Sequence, residues 1–541
     1  MKRLALPGSL IALLLLLIPF TFAAACQSAE PPRPPVRHTP EARPDPTTTI
    51  YYIAPTGSDS ADGLSAATPW ATFAHAYLFL QPGDTLMLLD GAYDQVLAPT
   101  VSGAPDLPIT FLAQNRGQAV IAPTSDCGGI SVFSTVDVTY SHLVFDGLFV
   151  RGHGECNAIE LGSQDNVPEP QMTHDIIVRN TGAFGSANMS NTSVIGLGNN
   201  LRDSLLEDVW AYGFGRKAIQ AFGSLRLTIR RAVVRYDYWD GSGYKPNDPR
   251  LAFGGYNTQY STFENIIAID SAPAPPDREP DMAGFAATGN ETPANVSGSA
   301  YNQYLGMMAL DIYGNGLEVD GGSGDPTHDI TFRDIIIWNA HALGDGVNVQ
   351  GNDTGSDFSF VTVSGAEQVG FRVDPYPHAP ITNETVTNVM VKDNRFGYYY
   401  DPAEMTTFAN NTGINNTEDS DLDPQYAPTF DYIVRPEMVE GHERGGTMVK
   451  RYVDGVLTTE NLWPWPNEDL IKQQMCNAAD LASVHRVAAN GPGWEPAWCA
   501  SDKTLTRYIW EYLGNPTPDY IYDTSATYLP MITISAAALP R

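Results

Sequence analysis

Positive charge is scarce in this 541-residue chain: 31 lysines and arginines stand against 62 aspartates and glutamates, a formal net charge of −31. Phosphate backbones are bound by concentrated cations, so this balance argues against a general nucleic-acid binder. Charge of either sign is modest, at 17% of residues, while hydrophobic residues reach 43%, a balance unlike that of a disordered acidic segment. Cysteine occurs 5 times and never as CxxC. No GxSxG elbow occurs, and no GxGxxG opens a helix after a strand, so neither an esterase nucleophile nor a dinucleotide site is indicated. What is plentiful is turn chemistry and ring surface: 48 glycines, 41 prolines and 10% aromatics.

The only long apolar run is at the start. Lys2 and Arg3 precede an apolar stretch from Leu10 to Phe22, followed by Ala23, Ala24, Ala25 and Cys26. Residues 1–25 are expected to be a signal peptide, too short for a lasting span. The segment resembles a bacterial lipoprotein signal, with Ala23 where that pattern usually has leucine. The resemblance implies lipidation of Cys26; plain cleavage after Ala25 is the alternative. Residues 26–49, including PPRPPVRHTPEARPDPTTT, read as a proline-rich tether. The expected location is the cell surface or outer envelope, held only by a lipid anchor, or otherwise the secreted fraction. The four remaining cysteines form two local pairs, Cys127 with Cys156 and Cys476 with Cys499, and an oxidising compartment favours disulfides within each. His153 near Cys156 raises a zinc reading that the missing CxxC pairs argue against.

From Tyr51 onward, short β-branched and aromatic runs alternate with Gly, Asp and Asn turns. One apolar position recurs in these runs: Phe111, Phe145, Val178, Leu206, Ile229, Phe263, Tyr304, Phe332, Phe360 and Val391. The intervals are 34, 33, 28, 23, 34, 41, 28, 28 and 31 residues, a coil-length repeat that signals a solenoid with these side chains inward. The opening YYIAPTGSDSADGLSAATPWATFAHA, followed by LQPGDTLMLLDGAYDQ, resembles the first coil of pectate-lyase-like right-handed parallel β-helices. That resemblance implies an all-β, right-handed parallel β-helix over residues 50–400 and a short helix within Pro69–Ala76. The class holds lyases, glycoside hydrolases, epimerases and binding modules, so it implies no single activity.

Residues 401–430 read as a linker or surface loop, without the DxDxDG spacing of a closed calcium loop. Residues 431–541 read as a small mixed α+β cap: a hairpin turning at Asp454–Gly455 and helices near 468–480 and 504–514. Trp463 and Trp465 are expected to pack against the last coil; a sugar-stacking platform is the other reading.

The coil interval also places polar residues. Lys217, Asp240, Asp345, Arg372 and Asp374 fall 11 to 14 residues after their apolar markers and are expected along one face. Acids, bases and rings on such a face suit an extended polysaccharide. For elimination, Lys217 or Arg372 would act as base, or Arg372 would clamp the substrate carboxylate, with calcium neutralising a uronate and aspartates holding the calcium. For hydrolysis, Asp345 and Asp374 form the leading carboxylate pair, with Asp240 in reserve. A non-catalytic glycan- or protein-binding scaffold is the alternative, and a monomer is expected. The maturation reading has its own check. Peptide mapping of protein made in a bacterial host is expected to find a lipid-modified Cys26 as the first residue; a mature N terminus upstream of it would contradict that expectation.

Overall fold

The computed structural model describes residues 48–185, 191–198, 200–237, 250–273, 283–289, 296, 298–322, 326–375, 380–401, 404–417, 450–485 and 495–514. Cys26, Asp240 and almost all of the proline-rich tether lie outside these residues. The described chain is a right-handed parallel β-helix carrying a small helical segment after it.

One ladder organises the coils. Tyr51, Leu86, Phe111, Phe145, Val178 and Leu206 are successive parallel partners. The ladder continues through Ile229, Phe263, Tyr304, Phe332, Phe358, Val386 and Phe408. Their rings stack inside, as at Phe111–Phe145 (5.1 Å) and Phe332–Phe358 (4.7 Å). Eight of the expected rungs, Phe111 to Phe332, therefore occupy the expected register.

Phe360 and Val391 do not. Phe358 takes the rung, and Val391 pairs with Val363 on the next side of the coil. The reason is backbone geometry. The residue two after the rung bends the chain through the left-handed region: Asn180 (φ 49°), Asp208 (55°), Asn265 (52°), Asp334 (56°), Asn388 (56°) and Asn410 (56°) all do so. Phe360 (φ 56°) is a member of that corner series, which turns its ring out of the core beneath the Arg333 guanidinium, 5.4 Å away. A second corner lies three residues before the rung, at His142 (57°), Asp175 (53°), Asp203 (48°), Asp329 (52°) and Asn383 (66°). Asn and Asp tolerate this conformation because their short polar side chains bond locally.

These bends divide each coil into sides. A ten-stranded parallel sheet runs from Ile130–Ser134 to Phe396–Tyr399. Its inward ladder is Ile159, Ile195, Ile219, Phe253, Phe285, Leu317, Val347, Phe371 and Tyr398. A short three-stranded ladder at Ser299–Ala300, Thr327–His328 and Asp353–Thr354 fills another side. At the N-terminal end, Thr72 caps a short helix at Phe73–Ala76 that buries Phe73 against Tyr93. At the other end, Met405–Ala409 and Thr412–Ile414 still pair with the coil before them. The solenoid thus passes residue 400, the expected boundary, and the first part of the expected linker is strand.

The segment after residue 450 lies along the solenoid. It holds the expected hairpin, Lys450–Val453 with Val456–Asn461, and helices Glu468–Met475, Ala478–His485, Ala497–Ala500 and Leu505–Tyr512. Trp463, Trp465, Ile471, Met475, Trp498 and Ile509 share one buried cluster with Trp210, Val233, Ile267, Met308 and Ile336, which project outward from several coils. Trp463 and Trp465 are 5% and 1% exposed, so they pack rather than offer a sugar platform, and against the middle coils rather than the last. Polar contacts fix the docking: Asp480 accepts from Arg151 (2.6 Å) and Tyr212 (2.8 Å), and Gln474 accepts from the Trp210 indole (2.8 Å). Both expected disulfides, Cys127–Cys156 and Cys476–Cys499, are present.

The corner series yields a test. Phe358→Ala should cost about 3–5 kcal/mol through lost burial and a cavity, whereas Phe360→Ala should cost less than about 1 kcal/mol. Denaturant midpoints of the two variants check the assignment, and equal losses would contradict it.

Candidate functional site on the ten-stranded sheet

Three outward columns run along the ten-stranded sheet. The first passes through Ser193, Lys217, Leu251, Ala283 and Asn315. Asp345 continues it one coil beyond, donating its N–H to Asn315 Oδ1 (3.0 Å). The second contains Gln220, Gly254, Ala286, Glu318, Asn348 and Arg372. The third contains Phe222, Tyr256, Thr288, Asp320, Gln350 and Asp374. The described candidates Lys217, Asp345, Arg372 and Asp374 therefore share this face. At about 4.8 Å per coil, Lys217 stands roughly 19 Å along it from Asp345, so the four form two groups.

Asp345, Arg372 and Asp374 make the first group. Arg372 Nε donates to Asp345 Oδ2 (2.6 Å), and its NH1 lies 3.9 Å from Asp374 Oδ2. Asp345 Oδ1 also accepts the Val369 N–H (2.9 Å), and the guanidinium lies over the Tyr399 ring at 5.3 Å. Burial pushes the Asp345 carboxyl up, opposed by Arg372. Both oxygens of Asp345 are engaged within the protein. This suits an ion pair locking neighbouring coils better than a carboxylate presented to a glycosidic bond.

Lys217 makes the second group, with partners outside the five candidates. Its ammonium donates to Asn191 Oδ1 (2.9 Å) and lies 5.7 Å from the centre of the Tyr256 ring. Only 6% of the residue is exposed. Burial, aided by the Arg216 and Arg250 guanidiniums, pulls its pKa down to about 7. Arg250 NH2 lies 3.7 Å from Glu318 Oε1, and Asn315 donates to Glu318 Oε2 (3.2 Å). Burial raises the Tyr256 phenol, with Arg250 working against that shift. A signal for these partners was present: Arg216 and Tyr256's predecessor Phe222 recur as Arg250 and Tyr256 at the same 34-residue interval that separates Ile229 from Phe263.

Among the described residues of this face Asp345 and Asp374 lie by Arg372 and Glu318 by Arg250, and no three acids converge as a calcium cage.

The fold defines the chain as a right-handed parallel β-helix protein. No family model matches it. Among curated proteins it is similar to pectate lyase L of Dickeya dadantii (strain 3937) and of Dickeya chrysanthemi, each 28% identical over 188 residues. That stretch covers 33% of this chain and 43% of each relative, so the chain matches less than half the length of these relatives. Among solved structures it resembles the A-module of the Azotobacter vinelandii mannuronan C-5 epimerase AlgE6, at 16% identity and a TM-score of 0.44 over 63% of this chain and 88% of that one. It also resembles a GH87 α-1,3-glucanase catalytic domain, at 13% identity and a TM-score of 0.43 over 70% of each chain. No residue role is carried over from any of them.

The lysine environment has a direct readout. In protein labelled at the lysine Nζ nitrogens, one resonance should titrate near pH 7 and vanish in Lys217→Met. A Lys217 resonance that stays protonated above pH 9 would remove it as a neutral-pH base.

Proposed function

We propose that the protein cleaves an acidic polysaccharide by elimination, with the sugar chain laid along the outer face of the ten-stranded sheet. The observation that carries this reading is Lys217, a buried amine on an outward column, flanked by Arg216 and Arg250 and placed beside Tyr256. With a pKa of about 7, half of the amine is neutral at neutral pH. In this reading Nζ takes the proton on the carbon bearing the uronate carboxylate. Arg250 and Arg216 stabilise the charge that develops on that carboxylate; the C–O bond on the adjacent ring carbon then breaks, its electron pair leaves on the glycosidic oxygen, which takes a proton from water, and a C=C bond remains in the ring. The similarity to two proteins named pectate lyase supports a uronate polymer as substrate. Hydrolysis by Asp345 and Asp374 is less well supported, because Arg372 binds the Asp345 carboxylate and also lies within 3.9 Å of Asp374. Export belongs to the same reading: the two disulfides suit an oxidising compartment, and a polymer substrate is met outside the cell.

A panel of uronate and neutral polymers, followed by ultraviolet absorbance and by reducing ends, tests the proposal. Absorbing unsaturated ends are expected from a uronate polymer, with and without a calcium chelator. Lys217→Met should lower the rate by about 100-fold or more. The wild-type rate should climb with pH through about 7 and then level off, because only the neutral amine accepts a proton. Reducing ends without absorbance, lost in Asp345→Asn, would establish hydrolysis instead. Tight glycan binding with no product would establish the binding scaffold.

A further inference from the structure

A second cluster lies at a coil corner, outside the three columns. His142 and Asp175 occupy the same left-handed corner on adjacent coils, with φ of 57° and 53°. His174 precedes Asp175 and pairs in register with Ser141, the residue before His142. Stacking the coils therefore brings two imidazoles and a carboxylate together. His142 Nε2 lies 3.7 Å from Asp175 Oδ2, and His174 Nδ1 lies 2.6 Å from the same oxygen. The two rings are 5.5 Å apart and nearly perpendicular. One ring nitrogen from each histidine and one carboxylate oxygen all fall within 4.8 Å of one another. The side chains are 18%, 17% and 47% exposed, so solvent reaches the cluster.

The chain contains its own comparison. The sequence Thr-His-Asp-Ile occurs at 173–176 and again at 327–330. In the second copy His328 Nδ1 meets Asp329 Oδ2 at 2.9 Å, as His174 meets Asp175. A histidine–aspartate contact is thus what this turn makes by itself. The difference is the neighbouring corner, which carries Tyr301 edge-on to His328 at 5.1 Å instead of a second imidazole. Only the first copy gathers three ligand groups.

We propose that His142, His174 and Asp175 bind a divalent transition metal of the zinc class, tying two consecutive coils at this corner. Two imidazoles and one carboxylate suit zinc, whereas calcium and magnesium prefer oxygen throughout. Bond lengths of about 2.0–2.1 Å in a tetrahedral site place ligand atoms about 3.4 Å apart. The 3.7 Å separation nearly meets that spacing, and the 2.6 Å contact opens once the proton between its atoms leaves. The nearby cations are already matched, since Arg202 and Arg226 both donate to Asp203 (2.6 Å each). Three protein ligands leave the fourth position to water.

Calorimetric titration of tag-free, chelator-stripped protein with Zn2+ tests the site, with Co2+ absorption as a second readout of coordination. One equivalent should bind per chain. His142→Asn is the chosen variant because asparagine accepts the left-handed corner, and its metal-free melting temperature should match wild type. It should weaken zinc binding at least tenfold, as should Asp175→Asn, while His328→Ala should bind like wild type. Absence of saturable binding in wild type, unchanged binding in His142→Asn, or an equal loss in His328→Ala would overturn the proposal. Binding here is independent of polymer cleavage, so either proposal can fail alone.

Discussion

Closing a coil of parallel strand around stacked files of buried side chains requires sharp bends, and left-handed corners on each side of the Phe111–Phe408 rung supply two of them. In this chain the bends fall three residues before and two residues after the core rung, through much of the solenoid. Between the two bends only a few residues remain, so the rung points inward and its neighbours point out. After glycine, Asn and Asp meet the geometry at least strain, which accounts for the abundance of these residues beside short apolar runs. Where a large residue takes the corner, as Phe360 and Tyr301 do, its side chain goes to the outer surface and finds Arg333 or His328 there. Once the corners are set, the identity of each outer face follows.

The outer faces meet different fates. The face carrying Trp210, Val233, Ile267, Met308 and Ile336 is apolar, and the chain folds its own C-terminal helices over it. Beside it, charges of alternating sign stack on successive coils: Asp146, Arg179, Glu207, Arg230 and Glu264 are direct partners. Glu264 then accepts the backbone N–H groups of Asp454 and Gly455, so the hairpin is docked by a buried carboxylate as well as by rings. The ten-stranded face is polar and mixed, with Lys217 buried among cations and Asp345 held by Arg372. A low-dielectric setting that raises the cost of charge favours a neutral amine at Lys217, while at Asp345 the guanidinium supplies a compensating charge. Two residues singled out by one periodicity therefore have different physical roles.

Much of this was legible in the chain itself. The repeat interval, the eight rungs from Phe111 to Phe332, the two disulfides and the hairpin and helices near the C-terminus could all be read from local residue patterns, because turns, strand length and core stacking depend on neighbours in sequence. The sharing of one face by Lys217, Asp345, Arg372 and Asp374 was legible for the same reason, since the coil interval carries it. The slip at Phe360 shows the limit. A shift of two residues keeps strand alternation intact, and only the corner residues on either side distinguish Phe358 from Phe360. Likewise, nothing local marks Trp463 and Trp465 as the cover of the middle coils. What the sequence by itself determined was the coil and its inward file, through short-range turn chemistry. The tertiary structure decided which outward groups meet: Lys217 with Tyr256, Asp345 with Arg372, and His142 with Asp175. Those pairs come from different coils, and the loops between coils vary in length, so their contact is set by stacking rather than by distance along the chain.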